Sequence, residues 1–258
     1  MQDIGVDNIP ALRLDAGNAL FKKPSSASPR ELTVAAGIMN IYAAIGYDAV
    51  AVGAHDLAAG AEPLKKNAKI PWLSANLSDD RGKALFPASV ILRRGEMRIG
   101  VIGLTGSLPA GQTGLRVGDW RTLLADAVKA LRSECHLLVA LSNLSAADNA
   151  ELAKKYPDIG LIITADGWRG NVVPRPEQKP WLAQTLAEGK SLGVLTLTGQ
   201  LPLSLPMTWE IKAANVPLKM SMPEDAIIAD MVQRVEQAAN QANGKLNGQP
   251  SSQPNAAR

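Results

Sequence analysis

Residues 46–56 read Gly46-Tyr47-Asp48-Ala49-Val50-Ala51-Val52-Gly53-Ala54-His55-Asp56. Residues 49–52 form a short, uninterrupted apolar run closed by a glycine. That pattern is a strand buried on both faces, the kind found in parallel sheets. Helical periodicity precedes it at 32–45, with Gly46 as the expected stop. Strand alternating with helix continues along the chain. Residues 11–17 read as a strand, 58–67 as a short helix, 72–77 as a strand and 90–104 as a hairpin turning at Arg94-Gly95-Glu96. Residues 120–132 read as a helix capped by Asp119 and 136–141 as a second buried strand. Ser145 caps a helix that ends near Lys155, and 159–163 form the next strand. Beyond residue 172 short strands (181–185, 194–197 and 209–212) are punctuated by prolines, and a last helix spans about 223–240. Alternation of this kind predicts an α/β fold with a largely parallel sheet.

Ligands in such folds lie beyond the carboxyl ends of strands. That rule singles out four exits, at residues 15–18, 53–56, 142–145 and 164–168. Composition narrows what they can do. The chain has 258 residues, 46 % of them apolar and 20 % charged, which excludes collagen, coiled coil and wholesale disorder. Lys and Arg total 27 against 24 Asp and Glu, with no basic run, and aromatics are 4 %, so nucleic acid is not an expected partner. Cys135 is the sole cysteine, so no internal disulfide forms, and only two histidines, His55 and His136, limit any histidine-rich metal site. No run approaches the ~18 apolar residues of a membrane span. The first five residues lack the basic and apolar regions of a signal peptide. The loop at 103–114 is glycine-rich but has no phosphate-loop lysine and reads as a flexible connection. His136 reads as a turn residue.

Taken in order, the four exits resemble the metallophosphoesterase domain of the 5′-nucleotidase family, the periplasmic UDP-sugar hydrolase type related to calcineurin-like phosphatases. The family pattern is Asp-Ala-Gly-Asp, then Gly-Asn-His-Glu/Asp, then Ser-His-Leu, then Gly-Gly-His-Thr-His. This chain reads Asp15-Ala16-Gly17-Asn18, Gly53-Ala54-His55-Asp56, Ser142-Asn143-Leu144 and Ala165-Asp166-Gly167-Trp168. Leu73-Ser74-Ala75-Asn76 and Ile99-Gly100-Val101-Ile102-Gly103-Leu104-Thr105 match as well, and the likeness covers roughly residues 11–240.

The resemblance implies a metallophosphoesterase-type sandwich of two mixed sheets flanked by helices, over residues 1–240, with a disordered tail at 241–258. It implies positions for a pair of divalent metals that activate water and clamp a phosphate. At those positions stand Asn18, where the family has the bridging Asp, Ala54, which has no donor atom, Asn143 for a His, and Asp166 and Trp168 for the final His pair. The expected remnant metal ligands are therefore Asn18, Asn143 and Asp166. The expected catalytic remnants are His55, which in the family assists phosphoryl transfer, and Asp56. Nothing in the chain matches the family's first motif, Asp-X-His. A first strand is thus expected to be absent, as in a truncated member, and the family's branches with selenoproteins offer one route to a displaced start.

Three functional expectations follow. The foremost is a folded binding or assembly module, holding no metal and engaging an unidentified protein partner. The alternative is a residual phosphoester or nucleotide hydrolase using Mn, Zn or Mg, active on its own or only when completed by an N-terminal segment. The third is a partner of haem proteins, although the chain has no Cys-X-X-Cys-His of its own. The family resemblance implies a bacterial, periplasmic or otherwise extracytoplasmic setting.

Overall fold

A computed structural model describes residues 10–25, 27–67, 69–109, 112–165, 170–199 and 209–247. Strand β1 (Leu14–Asp15) leads to helix α1 (Pro29–Ile45), β2 (Ala49–Ala51), a single 3-10 turn at His55–Leu57 and the short α2 (Glu62–Lys66). Next come β3 (Trp72–Leu73), β4 (Leu77–Ser78), the hairpin β5 (Ser89–Arg94) and β6 (Met97–Leu104), and β7 (Arg116–Val117). Helix α3 (Trp120–Glu134), β8 (Leu137–Ser142), α4 (Ala146–Lys155), β9 (Leu161–Thr164) and β10 (Trp181–Ala183) follow. A two-stranded ribbon, β11 (Ser191–Gly199) and β12 (Trp209–Pro217), precedes the last helix α5 (Ala226–Asn247).

Two sheets pack face to face. One is three-stranded, in the order β1-β2-β3, with both pairings parallel. The other is five-stranded, in the order β10-β9-β8-β6-β5, and is mixed because β5 runs antiparallel to β6. Alternation along each strand explains the arrangement. In and just after β2, Ala49 and Ala51 face the layer between the sheets while Val50 and Val52 face α1 and α2. In β8, Leu137, Val139 and Leu141 face inward and Leu138 and Ala140 pack against α3 and α4. Both faces of these strands are dry, so the period-2 polar alternation of a half-exposed strand is absent. The architecture is a sandwich flanked by helices, as the resemblance implies.

The caps follow the sequence. Asp119 accepts the Arg121 amide at the start of α3, and Ser145 accepts the Asp148 amide at the start of α4. Gly46 ends α1 in the left-handed conformation, φ 78°. Helix α5 lies along α1, where Gly37 leaves room for Val235: a Cβ on Gly37 would lie 2.3 Å from a Val235 methyl.

Several elements differ from expectation: β1 is shorter than 11–17, and β11 and β12 are longer than 194–197 and 209–212. The strand expected at 72–77 is two pieces, because β3 joins the three-stranded sheet while β4 pairs with β7, and the turn between them buries Ser74 and Asn76. The helix expected at 58–67 is shortened to α2 at Glu62–Lys66, because Gly60 takes φ 79° and separates it from the 3-10 turn at His55–Leu57. Helix α5 continues to Asn247 instead of ending at 240. The expected absence of a first strand concerns residues outside those described, as does most of the expected tail.

Candidate functional site

The strand register brings the exits together. Leu104 pairs with Ser142 and Ser142 with Thr164, so β6, β8 and β9 end level with one another. The two sheets meet beside them at Gly103, where a Cβ would lie 2.3 Å from the Leu73 carbonyl oxygen. Immediately after Gly103 and Leu104, the Thr105 hydroxyl donates to the Val52 carbonyl at 2.7 Å, and the Thr105 amide donates to Asn76 Oδ1 at 2.9 Å. The beginning of the glycine-rich loop is therefore pinned between the sheets. Its reading as flexible linker missed this, because its partners lie 29 and 53 residues away in sequence.

A cavity of about 270 Å³ opens where these ends converge. Asn18 contributes from the β1 exit, Ala54 and His55 from the β2 exit, residues 106–109 from the β6 exit and Asn143 from the β8 exit, and Pro24 also lines it. Four of the five site residues named from sequence, Asn18, His55, Asp56 and Asn143, are thus brought together at or beside one pocket. The fifth, Asp166, lies outside the described residues, as does Trp168.

The bonding is specific. Asp56 is fully buried, and its Oδ2 accepts the amides of Asn18 (2.8 Å) and Gly53 (2.9 Å), while Oδ1 accepts those of Ala19 (2.8 Å) and Leu20 (3.0 Å). Each carboxylate oxygen accepts two backbone amides, which matches the usual acceptor capacity of the group. Asp56 thus clamps the β1 exit loop onto the β2 exit. Burial pushes its carboxyl up to about 6, against the opposing pull of the amides of Gly53, Asn18 and Leu20 and with further help from the charge of Asp15. Asp15 itself is raised, chiefly by burial, and holds the Gly17 amide and the Tyr42 hydroxyl.

Asn18 adopts φ 63°, a conformation few residues other than glycine enter. In it the Asn18 side chain accepts the His55 amide through Oδ1 at 3.0 Å. The His55 ring meets the Phe21 carbonyl through Nδ1 at 3.0 Å. A carbonyl only accepts, so Nδ1 carries the proton and Nε2 of the neutral ring carries the lone pair. Asn143 Nδ2 donates to the Ala16 carbonyl, which fixes the amide and leaves Asn143 Oδ1 buried with no partner among the described residues. Gly53 is required here: a Cβ would stand 2.2 Å from Asn18 Oδ1 and 2.5 Å from Asn143 Oδ1.

A pair of divalent cations needs oxygen or nitrogen donors that are free, preferably anionic, and shared between the ions. Among the described residues the pocket offers two neutral amides and one imidazole, and Asp56 is engaged on every side. No group of three or more His, Cys, Asp or Glu suited to a metal is found among the described residues. The donor set of the described residues does not fit a dinuclear centre. Elsewhere, His136 Nδ1 accepts the Arg98 amide at 3.0 Å and Cys135 is buried at the end of α3, so both serve the turn into β8.

Comparison with known proteins places the fold. No protein-family model matches the sequence, and no curated protein matches it. Solved structures do match. The 5′-nucleotidase precursor of Thermus thermophilus superposes with a TM-score of 0.71 at 20 % identity, over 91 % of this chain and 50 % of its own. The sulfate thiohydrolase SoxB of Thermus thermophilus gives 0.73 at 23 %, over 90 % of this chain and 43 % of its own. The calcineurin-like phosphoesterase YfkN of Bacillus subtilis gives 0.64 at 17 %, over 90 % of this chain and 85 % of its own. The chain has the fold of a 5′-nucleotidase-like metallophosphoesterase domain, and it spans about half the length of the first two structures it matches. No helix among the described residues is long and apolar enough to cross a membrane.

Proposed function

We propose that this chain is a binding or assembly module built on the metallophosphoesterase fold, and that it does not run dinuclear metal catalysis. One observation carries the reading: the side chains described at two of the ligand positions, Asn18 and Asn143, and the neighbouring Asp56 are engaged in holding the loops themselves. Asn18 Oδ1 takes the His55 amide, Asp56 takes four backbone amides, and Asn143 Nδ2 binds the Ala16 carbonyl. The domain is proposed to run to the end of α5 at Asn247 with a tail beyond, to act outside the cytoplasm of a bacterium, and to work through a protein partner.

The test is metal content per chain by plasma mass spectrometry, after incubation with Mn²⁺ and Zn²⁺ and desalting, beside a phosphodiesterase assay in the same buffers. The module reading expects near zero metal and no turnover above a His55→Ala control. Two equivalents of metal with turnover abolished by His55→Ala would overturn it.

One observation favours the alternative, a residual metal-dependent phosphoester hydrolase. The bond from His55 Nδ1 to the Phe21 carbonyl leaves Nε2 of this pocket residue with no partner among the described residues, the arrangement in which a histidine serves as a ligand or an acid–base group. Names among the matching structures, including the NAD nucleotidase of Haemophilus influenzae, belong to that chemistry. Asp166 is the carboxylate such an enzyme would need.

A further inference from the structure

The connection from β12 into α5 gathers apolar side chains that the fold leaves uncovered. Of the nine large apolar side chains exposed among the described residues, five lie between 218 and 232: Leu218, Met220, Met222, Ile227 and Val232. A turn builds the first part of this stretch. The Met222 amide donates to the Lys219 carbonyl at 3.0 Å, which lifts Met220 to the tip, fully exposed. The Leu218 amide donates to the Lys190 carbonyl at 3.0 Å, so the turn is pinned to the root of the ribbon. The second part is the start of α5, where Asp225 Oδ1 accepts the Ile227 and Ile228 amides at 2.9 and 3.2 Å. Further along α5, Val235 meets the Gly37 notch of α1 and Ala239 is fully buried, whereas Ile227 stays 71 % exposed.

Exposed apolar side chains scattered singly are ordinary, but five along one connection mark a surface that another surface covers. Methionine suits such a surface, because its flexible thioether chain repacks against whatever meets it. None of the five is Trp or Tyr, the side chains that settle at a bilayer interface, so a protein face is the better match. The charges indicate which protein. Lys219 and Glu224 stand on either side of Met220 and Met222, and neither has an ion-pair partner among the described residues. The charges around them are paired, Lys190 with Glu188 at 2.9 Å and Asp230 with Arg234 at 2.7 Å. A cation before the turn tip and an anion after it make the segment complementary to itself when two copies run antiparallel. A two-fold axis near Ser221 and Met222 sets Lys219 of each copy toward Glu224 of the other, with the methionines at the axis.

We propose that the 218–232 segment is a self-complementary interface through which two copies of this chain associate as a two-fold dimer. Leu218, Met220, Met222 and Ile227 supply the apolar contact, and the reciprocal pairs of Lys219 with Glu224 fix the antiparallel register. This dimer goes beyond the module reading and does not depend on it, since neither metal uptake nor turnover enters its test.

The experiment is sedimentation velocity of the full chain across ~1–200 µM, a range that brackets small, transient interfaces. Expected is a concentration-dependent shift from the chain mass to twice that mass, half complete near ~10–50 µM. Met220→Asp should raise that midpoint by about tenfold or more. The Met220 side chain is fully exposed, so the monomer fold is not at stake, and Ile227→Asp makes the same test at the helix. Lys219→Glu and Glu224→Lys, made singly, should each weaken the dimer about fivefold, because each reversal acts twice across the axis. Made together, they should bring the midpoint back to within about twofold of the original. A chain that stays monomeric through the whole range overturns the proposal. So does a dimer that Met220→Asp and Ile227→Asp leave intact, or a double reversal no tighter than the single ones, since without the reciprocal pair nothing would recover.

Discussion

Replacing Asp56 by asparagine isolates the electrostatics of the loop clamp. The carboxyl group is fully buried, and its pKa is raised from 3.8 to about 6 because burial outweighs the amides that donate to it. Between those two values the folded chain holds a proton that the unfolded chain has released. Stability therefore falls as pH rises across this window: the contribution is complete below about pH 4 and lost above about pH 6. At ~1.36 kcal/mol per pH unit the loss is about 3 kcal/mol. The substituted amide does not titrate, so the stability of wild type minus that of Asp56→Asn should shrink by about 3 kcal/mol between pH 3.5 and 7. The substitution also sets a constant offset. An amide oxygen accepts two of the four backbone amides, and its NH₂ faces the other two, at a cost of ~1–3 kcal/mol for each orphaned donor. Urea unfolding at half-unit pH steps, read by the fluorescence of the buried Trp72 and Trp181, gives the difference directly. An Asp15→Asn background removes the neighbouring charge that couples to Asp56. A difference that grows with pH would refute the reasoning, since it would mean that the four amides dominate and hold the carboxyl below its ordinary range.

The remaining predictions concern packing and backbone at the same loops. Gly53→Ala drives a methyl into Asn18 Oδ1 and Asn143 Oδ1, and should cost ~1–3 kcal/mol in chemical denaturation. Part of that should return in an Asn18→Gly background, which removes the nearer contact. Asn18→Gly alone should be more stable than Asn18→Ala by ~1–2 kcal/mol, because both lose the acceptor for the His55 amide but only Ala is strained at φ 63°. Gly37→Ala should loosen α5 from α1, seen as faster limited proteolysis within 226–242, and Val235→Ala should restore protection. Asn18→Asp should lower the melting temperature at pH 8 more than at pH 5, since it sets a third carboxylate beside Asp15 and Asp56. An equal loss at both values would count against like-charge repulsion.

Much of this fold is legible in local sequence because its main signals are local. Continuous apolar runs at β2 and β8, the Asp119 and Ser145 caps and the glycine stop after α1 each act within a few residues. What escaped reading depends on distant partners. The 72–77 run looks like one strand until Ser74 finds the Thr105 hydroxyl and Asn76 finds Thr105 and Gly118, which breaks it into two sheets. The site shows the same division. The positions of Asn18, His55 and Asn143 followed from strand exits and family resemblance, but the clamp at Asp56 joins amides 36 to 38 residues upstream. No local pattern announces that an acid will turn inward to hold a loop.

That inward turn bears on how the fold survives with its strand exits so composed. Loops that converge on one point need something at the centre to hold them. A pair of cations with anionic ligands is one solution, and its charges balance only with the metal present. Here the loops are tied by bonds internal to the chain: Asp56 to the 18–20 amides, Asn18 to the His55 amide, Asn143 to the Ala16 carbonyl. Neutral amides at 18 and 143 avoid adding a further like charge beside Asp56, which the charge of Asp15 already raises. Close approach is then limited by volume alone, and the chain meets that limit with glycine at 53 and 106, where a Cβ would stand 2.2 Å from a side-chain or backbone oxygen. The amides and the glycines are thus two halves of one arrangement. A carboxylate introduced at position 18 tests the electrostatic half and a methyl at position 53 the steric half. If the loops are held in this way, the two substitutions should destabilise the same region in hydrogen exchange, the 16–21 and 53–57 segments, while α3 and α4 keep their protection.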